Sequence, residues 1–424
     1  MNDTNNTSSK WLNRNVVGFG LTSLLSDFCH EMATAVLPQF IQVIGASAAA
    51  LGFIEGSSDA ASSFIKLWAG YHSDKIGHRK GWSVIGYSLT AVSMAVMAFA
   101  IAWPLIFLGR VVGWLGRGIR GPLRDAMLAE SVSSENRGKA FGFHRAGDTL
   151  GAVLGPMAAF ALLTWLSKYP SIVNYFYSIF PKIAGQSGGT FRVIFILTLI
   201  PGILSVLSMV VLIREKKRER NESLSFAMAL KSMPSNYKKF LFAVLIFGCA
   251  DFAPTLMILR SSMLLTPKFG ALDAARYSAF LYLIRNVVYA VASYPIGALS
   301  NRFSRNKYLA VGYFTAVICF AGFAVPIASL WWLGGCFVLS GIFIAWEDTM
   351  EGVAVRDYVD NSVAGTAYGL LGTANGVGDF VSSFMVGTLW TAFNPELGFS
   401  YAIIIGIIGT ILMAKLKSPG DVKI

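Results

Sequence analysis

Residues 70–80 read GYHSDKIGHRK, and residues 297–307 read GALSNRFSRNK. A second pair of stretches, RGKAFG at 137–142 and AGTAYG at 364–369, stands at the same separation of 227 positions. One such match could arise by chance. Two at one separation, each in a polar turn between apolar runs, indicate an internal duplication. The register carries on into the apolar runs. Asp59 falls on Asn286, Asp74 on Asn301 and Asp148 on Asn375, so shape is kept and charge is lost. Arg120 falls on Glu347 and Arg124 on Glu351, which reverses the charge. Parallel repeats of apolar helices frame a path for solutes near the middle of a bilayer.

Outward from these turns the chain is dominated by apolar runs. Charged residues make up 14% of it, well below the roughly 25% of soluble domains. About twelve runs fall near 15–42, 46–72, 81–102, 104–128, 139–165, 191–213, 239–265, 271–300, 308–328, 331–357, 365–393 and 397–417. Each is long enough to cross about 30 Å of hydrocarbon. No sustained strand alternation occurs, which argues against a membrane barrel. The expected fold is an all-α membrane protein with 12 transmembrane helices in two pseudo-symmetric six-helix bundles. The expected division is residues 1–213, a charged central loop at 214–238, and residues 239–424.

The net charge of +12 does not point to nucleic acid, because its distribution is that of a membrane protein. Lys10, Arg14, the turn at 75–80, Arg137, Lys139, the run Arg214–Arg220, Arg302–Lys307 and the C-terminal lysines all fall on one side of the predicted spans. The opposite side is poor in bases. This positive-inside pattern places both termini in the cytoplasm. The first apolar run is too long for a cleaved signal peptide. Cys29, Cys249, Cys319 and Cys336 all fall within predicted spans, as free thiols rather than a disulfide framework.

In the turn at 70–80, Gly70, Asp74, Lys75, Gly77, Arg79 and Lys80 match motif A of the major facilitator superfamily, which the chain resembles over essentially its whole length. The resemblance implies a loop that latches the two halves on the cytoplasmic side. Asp74 would sit at a helix N-terminus of the other half, and Arg79 would pair with a carboxylate at the end of the fourth helix, with Asp125 the candidate. Gly142, Gly151, Gly155 and Pro156 match the glycine pattern of motif C, which points toward the drug/proton antiporter-like branch; Ala159 and Phe160 replace its closing glycines. In the fourth helix Arg110 suits motif B, with Gly113 and Trp114 in place of Gln-Gly.

Ionisable groups in hydrocarbon are costly and usually face a cavity. Asp27, His30 and Glu31 share one helical face, as do Glu55, Asp59 and Lys66. Arg110, Arg117, Arg120 and Arg124 fall within an arc of roughly 80°. Two readings compete for such groups: pairing across helices, or proton exchange by an acid in an apolar setting. Asp27 and Glu31, then Asp59 and Asp148, are the candidates for proton coupling. His30, Glu55, Arg110, Arg117, Asp251, Arg285, Asn375 and Asp379 are the candidates for the substrate cavity. Arg120 and Arg124 facing Glu347 and Glu351 are expected to form gate salt bridges at the cytoplasmic end. A transition-metal site from Asp27, His30, Cys249 and Asp251 is chemically conceivable, but cavity-facing polar groups explain the same residues, and no metal or cofactor is expected.

These features predict a monomeric secondary transporter of a bacterial inner membrane that binds a small molecule and protons within the lipid bilayer. No Walker sequence occurs, so nothing points to ATP, and no nucleophile–base pair marks an enzyme. Motif C favours export of amphipathic compounds. The many arginines favour import of an anion or polycarboxylate such as a siderophore. A non-transporting receptor is the reading of another class.

Overall fold

The computed structural model describes residues 11–76, 78–215, 233–359 and 364–417. Gly77 lies outside these residues, as do the side chains of residues 70–76, so Gly70 and Asp74 are placed only as part of a helix backbone. The first half comprises α1 (Arg14–Val43), α2 (Ala48–Ile76), α3 (Lys80–Val96), α4 (Trp103–Glu130), α5 (Arg137–Lys168), the short α6 (Pro170–Ile179), and α7 (Gly189–Leu197) continued by α8 (Leu199–Leu212). The second half comprises α9 (Ser235–Gly248) and α10 (Pro254–Phe269), then α11 (Ala271–Leu299), α12 (Arg305–Ala324), α13 (Leu330–Tyr358), α14 (Ala364–Ala392) and α15 (Pro395–Lys415). With α7–α8 and α9–α10 each counted as one span, the described residues form twelve spans, six in each half.

Length and hydropathy alone single out seven of these spans: α3, α5, α7–α8, α11, α12, α13 and α15. The other five are α1, α2, α4, α9–α10 and α14. Two of them, α2 and α4, carry the densest intramembrane charge, and α9 and α10 are 14 and 16 residues long because the span is broken. Each of these five spans lines the central cavity described below. The segments least like a lipid-facing helix are therefore the ones turned inward, as the cost of exposing charge to hydrocarbon requires.

One expectation of span continuity needs correction. The run 239–265 is not one helix: it stops at Gly248 and restarts at Pro254, and its first helix begins at Ser235, inside the stretch expected to be loop. Proline at the first helical position lacks the donor that a continuing helix would need. The backbone freed between the two segments is taken up by α14, where Ser382 Oγ donates to the Asp251 carbonyl at 2.6 Å and the Ala253 N–H donates to Ser383 Oγ at 3.0 Å. The connection after α5, outside the predicted spans, contains a short helix, α6.

Small residues set the packing distances. On α5, a Cβ built at Gly151 would meet the Leu24 carbonyl oxygen at 2.3 Å, and one at Gly155 the Glu31 Cβ at 2.6 Å. The motif C glycines Gly151 and Gly155 thus admit close approach of α1 within one bundle. Gly142 meets open space, and Pro156 is buried in the same helix. Between the bundles, α2 packs along α14 and α5 along α11. On the α2–α14 seam, a Cβ at Gly52 would stand 2.0 Å from the Ser383 carbonyl oxygen.

The chain begins α1 and ends α15 at the same end of the molecule. Asn13 Nδ2 donates to the Ser131 carbonyl at 2.7 Å, and Asn306 Nδ2 to the Leu416 carbonyl at 3.2 Å. At the far end α1 packs against α10 and α11, and α2 against α10, closing the bundle. At the end carrying the termini the bundles meet less: among the described residues α4 packs on none of the second-half helices, and Arg145 and Asp348, which do reach across, are 58% and 47% exposed. The molecule is therefore open at one end and shut at the other.

Candidate functional site

A cavity of about 300 Å³ lies between the bundles. Nine of its lining side chains carry carboxylates or guanidiniums: Glu31, Glu55, Asp59, Asp251, Asp348 and Asp379 against Arg110, Arg117 and Arg285. His30, Trp114, Phe252, Tyr282 and Phe343 add aromatic surface. The structure thus brings most of the expected cavity residues to one place. Asn375 is not on the lining: its amide donates to Glu351 at 2.7 Å.

On the first-half wall, Arg110 donates to Glu55 at 2.6 Å, and the two side chains are 1% and 3% exposed. A second Arg110 donor reaches Thr34 Oγ1 at 3.2 Å, so α4, α2 and α1 meet at one guanidinium. Trp114, at the motif B position, lies with its ring centroid 5.9 Å from the Arg110 guanidinium and 5.2 Å from that of Arg117. The His30 ring meets Trp114 edge-on at 5.2 Å. Gly113 stands where the motif has its amide and Trp114 where it has glycine, and the indole lies within cation–π reach of both guanidiniums.

Toward the open end, Asp27 lies 3.4 Å from Arg117 and 3.6 Å from Arg120. Asp148 accepts from Ser23 at 3.3 Å and pairs with Arg145 at 3.5 Å. Ser23, which donates to Asp148, also accepts from Arg124, so Asp27 and Asp148 both sit among the arginines of α4 and α5. Two of the expected proton-coupling acids are therefore neighbours in an arginine-rich setting, whereas Glu31 and Asp59 face the cavity.

The expected gate pairings differ from those observed. Arg79 pairs with Glu130 at 2.7 Å, not with Asp125, and its backbone N–H donates to Glu215. Asp125 is held instead by Arg124 at 3.0 Å. The last residue of α4 comes beside the start of α3, and Asp125 sits on another face of the helix. Nor do Arg120 and Arg124 meet Glu347 and Glu351. Arg120 stacks on Tyr87 at 4.2 Å beside Asp27, and Arg124 donates to Ser23 at 3.2 Å. Glu351 accepts from Tyr313 and Asn375, and Glu347 is buried in its own bundle. With the bundles apart at this end, each group finds partners at home.

Contacts that do cross between the bundles were not anticipated. Tyr282 donates to Glu31 at 2.7 Å, Asn286 to the Ala152 carbonyl at 2.8 Å, and Arg276 to Thr164 at 3.0 Å. Arg145 donates to Tyr289 and lies 3.7 Å from Asp348, to which Tyr289 also donates at 2.7 Å. Spacing held a signal: Tyr282, Arg285 and Tyr289 recur at helical intervals on α11. Tyr282→Phe is expected to cost about 1 kcal/mol from the lost hydrogen bond. The check is whether thiol labelling of a cysteine introduced at Val43, at the closed end, accelerates; an unchanged rate would show that Tyr282 does not help close that end.

Twelve spans in two like halves around a charged cavity open at one end define a membrane transporter. The family model described as the Major Facilitator Superfamily matches residues 19–284 and 274–423. An uncharacterized MFS-type transporter of Methanocaldococcus jannaschii is 30% identical over 414 residues, covering 96% of each chain. The chain belongs to the major facilitator superfamily, and it is a transporter rather than an enzyme. The quinolone resistance protein NorA of Staphylococcus aureus is 28% identical over 121 residues, 28% of this chain and 31% of that one. A solved structure of a variant of the nucleoside transporter NupG superposes with a TM-score of 0.74 at 14% identity, covering 94% of this chain and 98% of that chain.

Proposed function

We propose that the chain exports small amphipathic organic cations in exchange for protons, by alternating exposure of the central cavity. The observation that carries this reading is the lining itself. Six carboxylates face three guanidiniums, and Arg110 is already spent on Glu55. The remaining imbalance is acidic, and the aromatic wall of Trp114, Phe252, Tyr282 and Phe343 suits a cation with apolar bulk. The polycarboxylate reading gains less support, since Arg110, Arg117, Arg120 and Arg124 each stand beside an acid, and of the cavity guanidiniums Arg285 alone is without an ion pair among the described residues. Part-length similarity to a quinolone resistance protein accords with export. Positive-inside charge supports a cytoplasmic open end, the side from which an exporter loads.

The test is a proton-flux assay in everted vesicles carrying the overproduced protein. Tetraphenylphosphonium or ethidium added to vesicles with an acidified lumen is expected to discharge the pH gradient. Asp379→Asn is expected to reduce that discharge at least tenfold at equal protein level. Discharge by citrate and not by either cation would overturn the reading in favour of an anion transporter.

A further inference from the structure

A second cavity, of about 370 Å³, lies at the end carrying the termini, between the start of α9 and the last turns of α15. Lys238, Lys239, Phe242 and Ala243 of α9 face Leu412 and Leu416 of α15 across it. Both lysines are exposed and Phe242 is 56% exposed, so the groove opens outward. None of these residues lines the central cavity. Among the described residues, neither lysine has an ion pair or a side-chain hydrogen bond.

The first repeat shows what closes such a junction. At the separation of 227 positions, Leu241 and Phe242 stand where the first half has Arg14 and Asn15. Arg14 donates to the Val211 carbonyl at 2.7 Å, Asn15 Nδ2 donates to the Arg214 carbonyl at 2.9 Å, and the Arg214 N–H donates back to Asn15 Oδ1 at 2.9 Å. These bonds tie the start of α1 to the end of α8. In the second repeat both tying side chains are apolar, and Lys238 and Lys239 stand where the first has Trp11 and Leu12. The ties are gone, and two cations stand beside the gap.

We propose that this groove holds one anionic phospholipid, its phosphate between Lys238 and Lys239 and an acyl chain along Phe242, Ala243 and Leu412. The order of chemistry along the groove is that of a lipid. Charge lies at the rim, near the first turn of a span, and the apolar surface begins about 6 Å further along the helix. A lysine stem can lie on apolar surface while its ammonium reaches a phosphate at headgroup level. Basic pockets between spans favour anionic headgroups, and a zwitterionic choline headgroup brings a cation that the two lysines repel. The bound lipid then does for α9 and α15 what Arg14 and Asn15 do for α1 and α8.

The experiment is native mass spectrometry of the purified full chain, titrated with dioleoylphosphatidylglycerol or with dioleoylphosphatidylcholine. A lysine near an anionic headgroup contributes about fivefold in affinity, so phosphatidylglycerol is expected to bind about tenfold or more tightly than phosphatidylcholine. Lys238→Gln with Lys239→Gln is expected to remove that preference and to leave phosphatidylcholine binding unchanged. Lys238→Arg with Lys239→Arg is expected to keep it. Arg137→Gln with Lys139→Gln removes the same charge from exposed positions at the same end and is expected to leave the preference intact. Equal affinity for the two lipids overturns the proposal, because the groove would then take any lipid of the bilayer. So does a preference that survives loss of both lysines, or one lost equally in the Arg137 and Lys139 variant, which would assign it to diffuse surface charge. Displacement of phosphatidylglycerol by millimolar inorganic phosphate would also overturn it, in favour of a bare anion site. No readout involves transport, so the outcome is independent of the export reading.

Discussion

Replacing Arg110 by alanine is expected to destabilise the protein by about 3–5 kcal/mol, the cost of leaving a buried carboxylate without its partner. The size follows from burial. Glu55 and Arg110 are 3% and 1% exposed and meet at 2.6 Å, so neither solvent nor a neighbouring cation can replace the lost guanidinium. Glu55 Oε1 already has no hydrogen-bond partner, which leaves no reserve. The double variant Glu55→Gln with Arg110→Met removes both charges and is expected to recover most of the loss, because a matched neutral pair does not strand an ion. Cys29, Cys319 and Cys336 are buried, so a thiol-reactive dye reports thermal unfolding directly. A melting curve for Arg110→Ala equal to that of the unaltered protein would show that the pair contributes nothing to stability.

The second large effect is expected at Gly52. The methyl group of Gly52→Ala would stand 2.0 Å from the Ser383 carbonyl oxygen and 2.9 Å from its carbon. Both are backbone atoms, so no rotamer change relieves the clash and α2 must withdraw from α14. Overpacking of this kind costs about 1–3 kcal/mol. The seam also joins the two bundles, since the Ala49 N–H donates to Thr391 Oγ1 at 2.8 Å one turn away. Gly52→Ala is therefore expected to lengthen the distance between spin labels at Val43 on α1 and Lys268 on α10, both at the closed end. Gly335→Ala, where nothing lies within 4 Å, is the control and is expected to leave the distance unchanged. Identical distance distributions for the two variants would mean that the seam tolerates the methyl group.

Much of the architecture was legible in residue order, because it depends on local patterns. Apolar runs long enough to span, turns rich in bases, and two matched stretches at one separation suffice for twelve spans in two halves. The break between Gly248 and Pro254 was less legible, because apolar residues run across it. The signal was Asp251 and Pro254 close together, an acid and a helix breaker inside a span. The cavity residues were largely recognisable, since ionisable side chains in hydrocarbon have few other places to go. Their partners were not. Whether Arg79 meets Asp125 or Glu130, and whether Arg120 meets Glu347 or Asp27, depends on helix rotation and on which end of the molecule is open. Neither is written in spacing. Arg145 shows the remaining gap: it stands one turn before Asp148 in the same helix, yet its reach to Tyr289 and Asp348 requires the other bundle to be in place.

The interruption between α9 and α10 has a mechanical consequence. Its counterpart in the first repeat, residues 22–26, lies inside the unbroken 30-residue α1. One copy is thus a stiff rod and the other a knee, braced at the joint by the hydroxyls of Ser382 and Ser383. When torque passes between the halves, the rod transmits it and the knee yields. The second half is then the compliant member of the pair, and Asp251 sits at its joint.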